Sequence, residues 1–224
     1  MGILDFAETV ERMPMPIIFV VDTSNYMAGS KIDVLNDTLR KCIDTLKYES
    51  VNNTDYQFFI AVINFSTTAE WLYNRFVPIE EFKWIGVSAS GAKNIGKAYS
   101  KLNEVLSSMR QCITAKAYQA PTIIIMSSED EPDDDYKPAL NALKETNWFK
   151  HSVKLAIPIK TNYLVDFTNC QEAIISKEAI IEFVRKLWKR VLVCDSEPMG
   201  EWDEQDTSSS KNDDNTYSNI DEWD

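Results

Sequence analysis

Nearly unbroken apolar runs alternate along this chain with segments whose apolar residues recur every three or four positions. The runs are Pro16–Val21, Gln57–Phe65, Thr122–Met126 and Val153–Ile159. They are short and lack the strict polar alternation of a half-exposed strand, which predicts strands buried on both faces, as in parallel sheets. Between them, Ile32, Leu35, Leu39, Ile43 and Leu46 follow Gly29-Ser30 at helical spacing. Ile95, Leu102, Val105, Leu106 and Met109 predict a second helix, and Leu140 with Leu143 a third. Ile180, Phe183, Val184, Leu187, Trp188 and Val191 predict a last helix ending near Arg190. These stripes are amphipathic. Asn52–Asp55 reads as a turn, and Thr67–Leu72 as a short edge strand. Strand and helix alternate, so the expected class is α/β: a doubly wound, mainly parallel sheet with helices on both faces and one short antiparallel edge strand.

In open sheets of this kind, ligands bind outside the carboxyl ends of the strands. The first run ends there in Asp22-Thr23-Ser24. Asp22 and Ser24, on alternate positions, direct their oxygens into one small volume. Such an oxygen pair suits a hard cation such as Mg2+.

Three segments carry a resemblance. Asp22-Thr23-Ser24 is followed by Met27, Gly29, Lys31 and Ile32. Ser88-Ala89-Ser90-Gly91-Ala92-Lys93-Asn94-Ile95-Gly96 precedes the second helix, and Glu131-Pro132-Asp133-Asp134-Asp135-Tyr136 follows a buried strand. In this order they resemble the von Willebrand factor A domain, and within it the bacterial tellurium-resistance (TerY-like) branch. The resemblance spans about Met15 to Val193 and implies a Rossmann-like fold. It also implies a metal-ion-dependent adhesion site at Asp22, Ser24, Tyr26, Lys93 and Glu129.

Only Asp22 and Ser24 keep the family residue, so the site is expected to be degenerate. Tyr26 stands where a small serine hydroxyl reaches the ion. Lys93 replaces a threonine, and an ammonium has three donors but no lone pair, so it cannot ligate. Like charges at about 4 Å repel by several kcal/mol at a moderate effective dielectric. The expectation is therefore a metal-free site without a cofactor, with the Lys93 ammonium lying between Asp22 and Glu129. The alternative is a working Mg2+ site on Asp22, Ser24 and Glu129, with Ser88 or Ser90 supplying the missing hydroxyl.

Composition narrows the function. The formal charge is -12, and residues 201–224 hold nine acids against Lys211, leaving -4 on the rest. That sign argues against nucleic acid or anionic membrane as a partner. The four cysteines show no metal-ligand spacing, no run approaches a membrane span, and the first residues lack signal-peptide order, which together predict a cytoplasmic protein. The expected organisation is an N-terminal extension over 1–13, one domain over 14–195, and an acidic tail over 196–224 too polar to fold.

The expected function is a non-catalytic protein–protein interaction module, not an enzyme. Its candidate partner-binding residues are Tyr26, Met27, Asp130, Glu131 and Asp133 at the strand-end rim. Trp202 and Trp223 join them, each within Glu-Trp-Asp in the tail. Such acidity complements a basic partner. The resemblance further implies a bacterial stress or signalling system with a kinase and a phosphatase. The rival reading is a nucleotide- or phosphate-binding enzyme using Gly91–Lys97, although Ala98 lacks the hydroxyl that would hold Mg2+. His151, the single histidine, is expected on an exposed loop with no catalytic partner.

Overall fold

The computed structural model describes residues 12–112, 119–159, 164–168 and 176–191. β1 (Met13–Asp22) leads through α1 (Ser30–Val51) to β2 (Tyr56–Phe65), then to β3 (Ala69–Trp71) and β4 (Val77–Pro78). α2 (Ile95–Cys112), β5 (Thr122–Ser128), α3 (Lys137–Lys144), α4 (Asn147–His151) and β6 (Val153–Ile159) follow. α5 (Val165–Thr168) and α6 (Lys177–Val191) complete the described elements.

The sheet order is β3-β2-β1-β5-β6, with β4 also pairing β2. β1 runs parallel to β2 and β5, and β5 parallel to β6, while β3 and β4 are antiparallel to β2. The expected class is therefore present, with a second short antiparallel strand added at Val77–Pro78. Chain order turns at β1: the first crossover leaves to one side and the later ones build on the other. Crevices open at such a switch point.

The double burial of β1 follows from its sequence. Ile17, Phe19 and Val21 enter one core with Leu35, Leu39, Ile43 and Leu46 of α1 and with Ile180 and Val184 of α6. Ile18 and Val20 enter the other with Tyr99, Leu102 and Leu106 of α2 and with Leu140 and Leu143 of α3. Successive side chains of a strand point to opposite faces, so a continuous apolar run is what two helical layers require. Cys42 lies in the first core, where burial pushes its thiol up to about 12.

His151 is exposed, as expected, but it ends the short helix α4 and does not sit on a loop. Beside it, Lys154 donates from Nζ to the carbonyls of Phe149 (2.9 Å) and Ser152 (2.8 Å), closing that helix end. Burial, reinforced by Lys144, lowers the Lys154 ammonium to about 8. The folded state therefore releases this proton before the unfolded chain does, so stability rises with pH just above 8. Because Lys154 is partly solvated, the gain between pH 8 and 9 is expected to stay below about 1 kcal/mol. Urea midpoints at the two pH values should show it, and Lys154→Met should abolish it. The unfolded Cys42 thiol ionises over the same interval while the buried one does not, which offsets part of this rise.

Candidate functional site at the strand ends

β1 and β5 end side by side, with Val21 opposite Met126 in the ladder. The residues just beyond that register form the site. Asp22 is fully buried, and each of its carboxylate oxygens is engaged. Oδ1 accepts the Ser24 N–H at 2.9 Å. Oδ2 accepts the Ser127 hydroxyl at 2.7 Å and the Ser128 N–H at 3.3 Å. Oδ2 also lies 3.5 Å from Lys93 Nζ, and both side chains are 0% exposed.

Lys93 reaches this position from the segment before α2. Its Nζ donates to the Ser128 carbonyl (2.9 Å), the Ser128 hydroxyl (2.9 Å) and the Asp130 carbonyl (2.5 Å). Burial pushes the ammonium below the ordinary lysine range, and Asp22 beside it draws it back up. Its main chain is held as firmly. Lys93 N–H donates to Asp133 Oδ2 at 2.7 Å, and Asp133 N–H returns a bond to the Lys93 carbonyl at 2.9 Å.

The other rim loops fasten to the same frame. Ser90 N–H donates to the Thr23 carbonyl and Asn25 N–H to the Gly91 carbonyl. Gly91 has φ 82°, and a Cβ there would stand 2.5 Å from Thr67 Oγ1, so glycine is needed on both counts. Asp134 Oδ2 accepts the Gly96 N–H at 2.9 Å, capping the first turn of α2. Burial pushes the Asp134 carboxyl up, and the Gly96 bond opposes that shift. Acids just ahead of a helix ordinarily serve that helix's N-terminus. Asp135 does so through the Lys137 N–H, but Asp133 and Asp134 serve Lys93 and α2.

The profile of the von Willebrand factor type A domain matches residues 17–174, most of the chain. The chain belongs to the von Willebrand factor A family. Solved structures agree on the fold. A von Willebrand factor type A protein from Catenulispora acidiphila aligns with TM-score 0.52 and 13% identity, over 78% of this chain and 42% of that one. The PilB minor pilin of Streptococcus sanguinis aligns with TM-score 0.56 and 13% identity, over 81% and 62%. Proximal thread matrix protein 1 from the mussel byssus, with a zinc-occupied MIDAS motif, gives 0.51 and 15%, over 81% and 48%. The chain thus spans about half the length of these structures. Among curated proteins none matches significantly in sequence.

Within this von Willebrand factor A fold the sequence-predicted residues separate. Asp22 and Lys93 meet as a buried pair. Ser24 is buried beside them, and its Oγ has no hydrogen-bond partner among the described residues. Glu129 is a correction: the second anchor of Lys93 is the main chain and hydroxyl of Ser128 with the Asp130 carbonyl. The Glu129 carboxylate makes no hydrogen bond or ion pair with another described residue. β5 runs on to Ser128, so Glu129 already lies beyond the sheet.

Tyr26 is 40% exposed, and its hydroxyl donates to Asp133 Oδ1 at 3.1 Å. That bond and the Asp133 charge hold its phenol above the ordinary tyrosine range. Met27 is also a correction. It is 1% exposed and packs in the first core, so it offers no partner-binding surface. Asp130 pairs with Lys31 at 3.3 Å, whereas Glu131 and Asp133 are exposed on the rim. Trp202 and Trp223 lie outside the described residues. Ser127 and Ser128 were missed. Their signal was the one read at Asp22-Thr23-Ser24: hydroxyl residues closing an apolar run at a strand end.

Most amides of the Gly91–Lys97 loop are engaged within the protein. Ala92 N–H donates to Thr67 Oγ1, Lys93 N–H to Asp133, Asn94 N–H to the Ser66 carbonyl and Gly96 N–H to Asp134. A phosphate loop instead turns these donors toward the ligand. Two of the acceptors here are carboxylates, which repel an anion. Lys97 is exposed on α2.

Proposed function

We propose that this von Willebrand factor A domain is a non-catalytic protein-interaction module whose adhesion site works without a divalent ion. The observation that carries the reading is the Lys93 ammonium, buried 3.5 Å from the Asp22 carboxylate at the end of β1. A divalent cation bound to Asp22 would face that fixed positive charge. Nor do the remaining residues fit such an ion. Both Asp22 oxygens are occupied by protein donors, and Tyr26 turns away to Asp133. The Mg2+-dependent alternative draws on one observation, the unpartnered Ser24 Oγ beside Asp22.

With the ion's role internal, recognition falls to the outer rim: Tyr26, Glu131 and Asp133. A basic partner surface complements it. The tellurium-resistance resemblance supports a cytoplasmic role in a bacterial stress or signalling system, beside a kinase and a phosphatase. Among the described residues no helix is long and apolar enough to cross a membrane.

Melting in Mg2+, in Mn2+ and in EDTA is expected to give one common midpoint. Pull-down from the native lysate in EDTA should retain a partner that Glu131→Lys loses. A midpoint raised by metal, or a partner captured only in Mg2+, contradicts the reading.

A further inference from the structure

Three oxygens that accept from the Lys93 ammonium are neutral. They are the Ser128 carbonyl and hydroxyl, each at 2.9 Å, and the Asp130 carbonyl at 2.5 Å. A fourth, Asp22 Oδ2 at 3.5 Å, brings the adjacent negative charge in a fully buried pair, while the Asp130 carboxylate, itself paired with Lys31, acts on the ammonium from farther off. An ammonium matches this set in both respects. Its three N–H donors meet three neutral acceptors, and its charge is balanced chiefly by the one adjacent carboxylate. A divalent ion would leave one positive charge uncompensated in the interior, which is costly. Mg2+ also sheds water reluctantly and demands octahedral oxygens at about 2.0–2.1 Å.

We infer that the seat around Lys93 Nζ is a monovalent-cation site. Its resident ion is the tethered ammonium, and small primary ammonium ions are the class it accepts once the tether is cut. This rests on the reading that Lys93 stands in an ion's place, and it specifies the charge of the ion the seat fits. The inference also gives Lys93 a positioning role. The Ser128 and Asp130 carbonyls flank Glu129, so the ammonium holds the start of the acidic loop that carries Glu131 and Asp133.

Lys93→Ala in the full chain removes the three carbons and the nitrogen that n-propylammonium supplies. Melting of this variant is compared in n-propylammonium, tetramethylammonium and magnesium chlorides at matched ionic strength. The expected result is a midpoint about 4 °C or more higher in n-propylammonium than in tetramethylammonium. Magnesium should give no more than tetramethylammonium, the wild type should melt alike in both organic salts, and adding Asp22→Asn should remove the rescue. If Lys93→Ala does not fold unaided, the refolded fraction after dilution from urea into each salt is the readout. Equal midpoints or yields in the two organic salts, or rescue by magnesium instead, overturn the inference. Those outcomes concern the variant alone; a magnesium response of the wild type strikes the proposed function.

Discussion

Lys93→Met is expected to destabilise the domain by about 3–5 kcal/mol, because it leaves the Asp22 carboxylate buried without its cation. Methionine keeps most of the apolar stem, so little of the loss is packing. The Ser128 and Asp130 carbonyls lose their donor as well, and unsatisfied buried acceptors add to the cost. The partner substitution completes the argument. Asp22→Asn removes the charge that balances the ammonium, and the Lys93→Met, Asp22→Asn double variant should cost less than the sum of the singles. Chemical denaturation of the four proteins closes the cycle. A Lys93→Met variant within about 0.5 kcal/mol of wild type would mean that the ammonium is not held as described.

The second large effect is expected at Gly96. In most helix positions Gly→Ala gains about 1 kcal/mol. Here the sign should invert. A Cβ on residue 96 would stand 2.7 Å from Asp134 Oδ2 and 3.1 Å from the Tyr136 Cα. The carboxylate could move only by giving up the Gly96 N–H, and the backbone at Tyr136 cannot yield without shifting the loop before α3. Overpacking of this kind costs about 1–3 kcal/mol, so Gly96→Ala should lower the urea midpoint with an unchanged slope. A raised midpoint would show that α2 does not dock against Asp134 and Tyr136 as closely as described.

Most of the sheet was legible in the residues because each interior strand is a continuous apolar run and each long helix a stripe. Of the short elements only β3 was. α4, α5 and β4 have five, four and two residues, too few for a period to emerge. At the site, Asp22 could be placed from its position at the end of β1. Its neighbour could be named only through the resemblance, since Lys93 lies far along the chain and nothing local marks it as buried. The Glu129 error is a matter of strand length. The apolar run stops at Met126 but the ladder continues through Ser127 and Ser128, so the reach of the lysine was assigned one residue too far. Met27 was misplaced for a related reason. The single turn Asn25–Met27 brings that side chain inward to the core, while Tyr26 stays on the rim. A linear reading of a loop does not reveal such a turn.

The Asp133 contacts were hidden for the same cause. Acidic residues ahead of a helix have an ordinary explanation as caps, and only the fold brings the start of α2 against them.

The central claim is that a buried, charged lysine nitrogen stands at the end of β1. Nitrogen-15 NMR of the lysine side chains in the full chain tests it most directly. One ammonium, assigned to residue 93 by its absence from Lys93→Met, should exchange slowly with water and show no change when magnesium is added. If every lysine ammonium exchanges at solvent rates, and magnesium shifts the Asp22 carboxyl carbon, the account is contradicted.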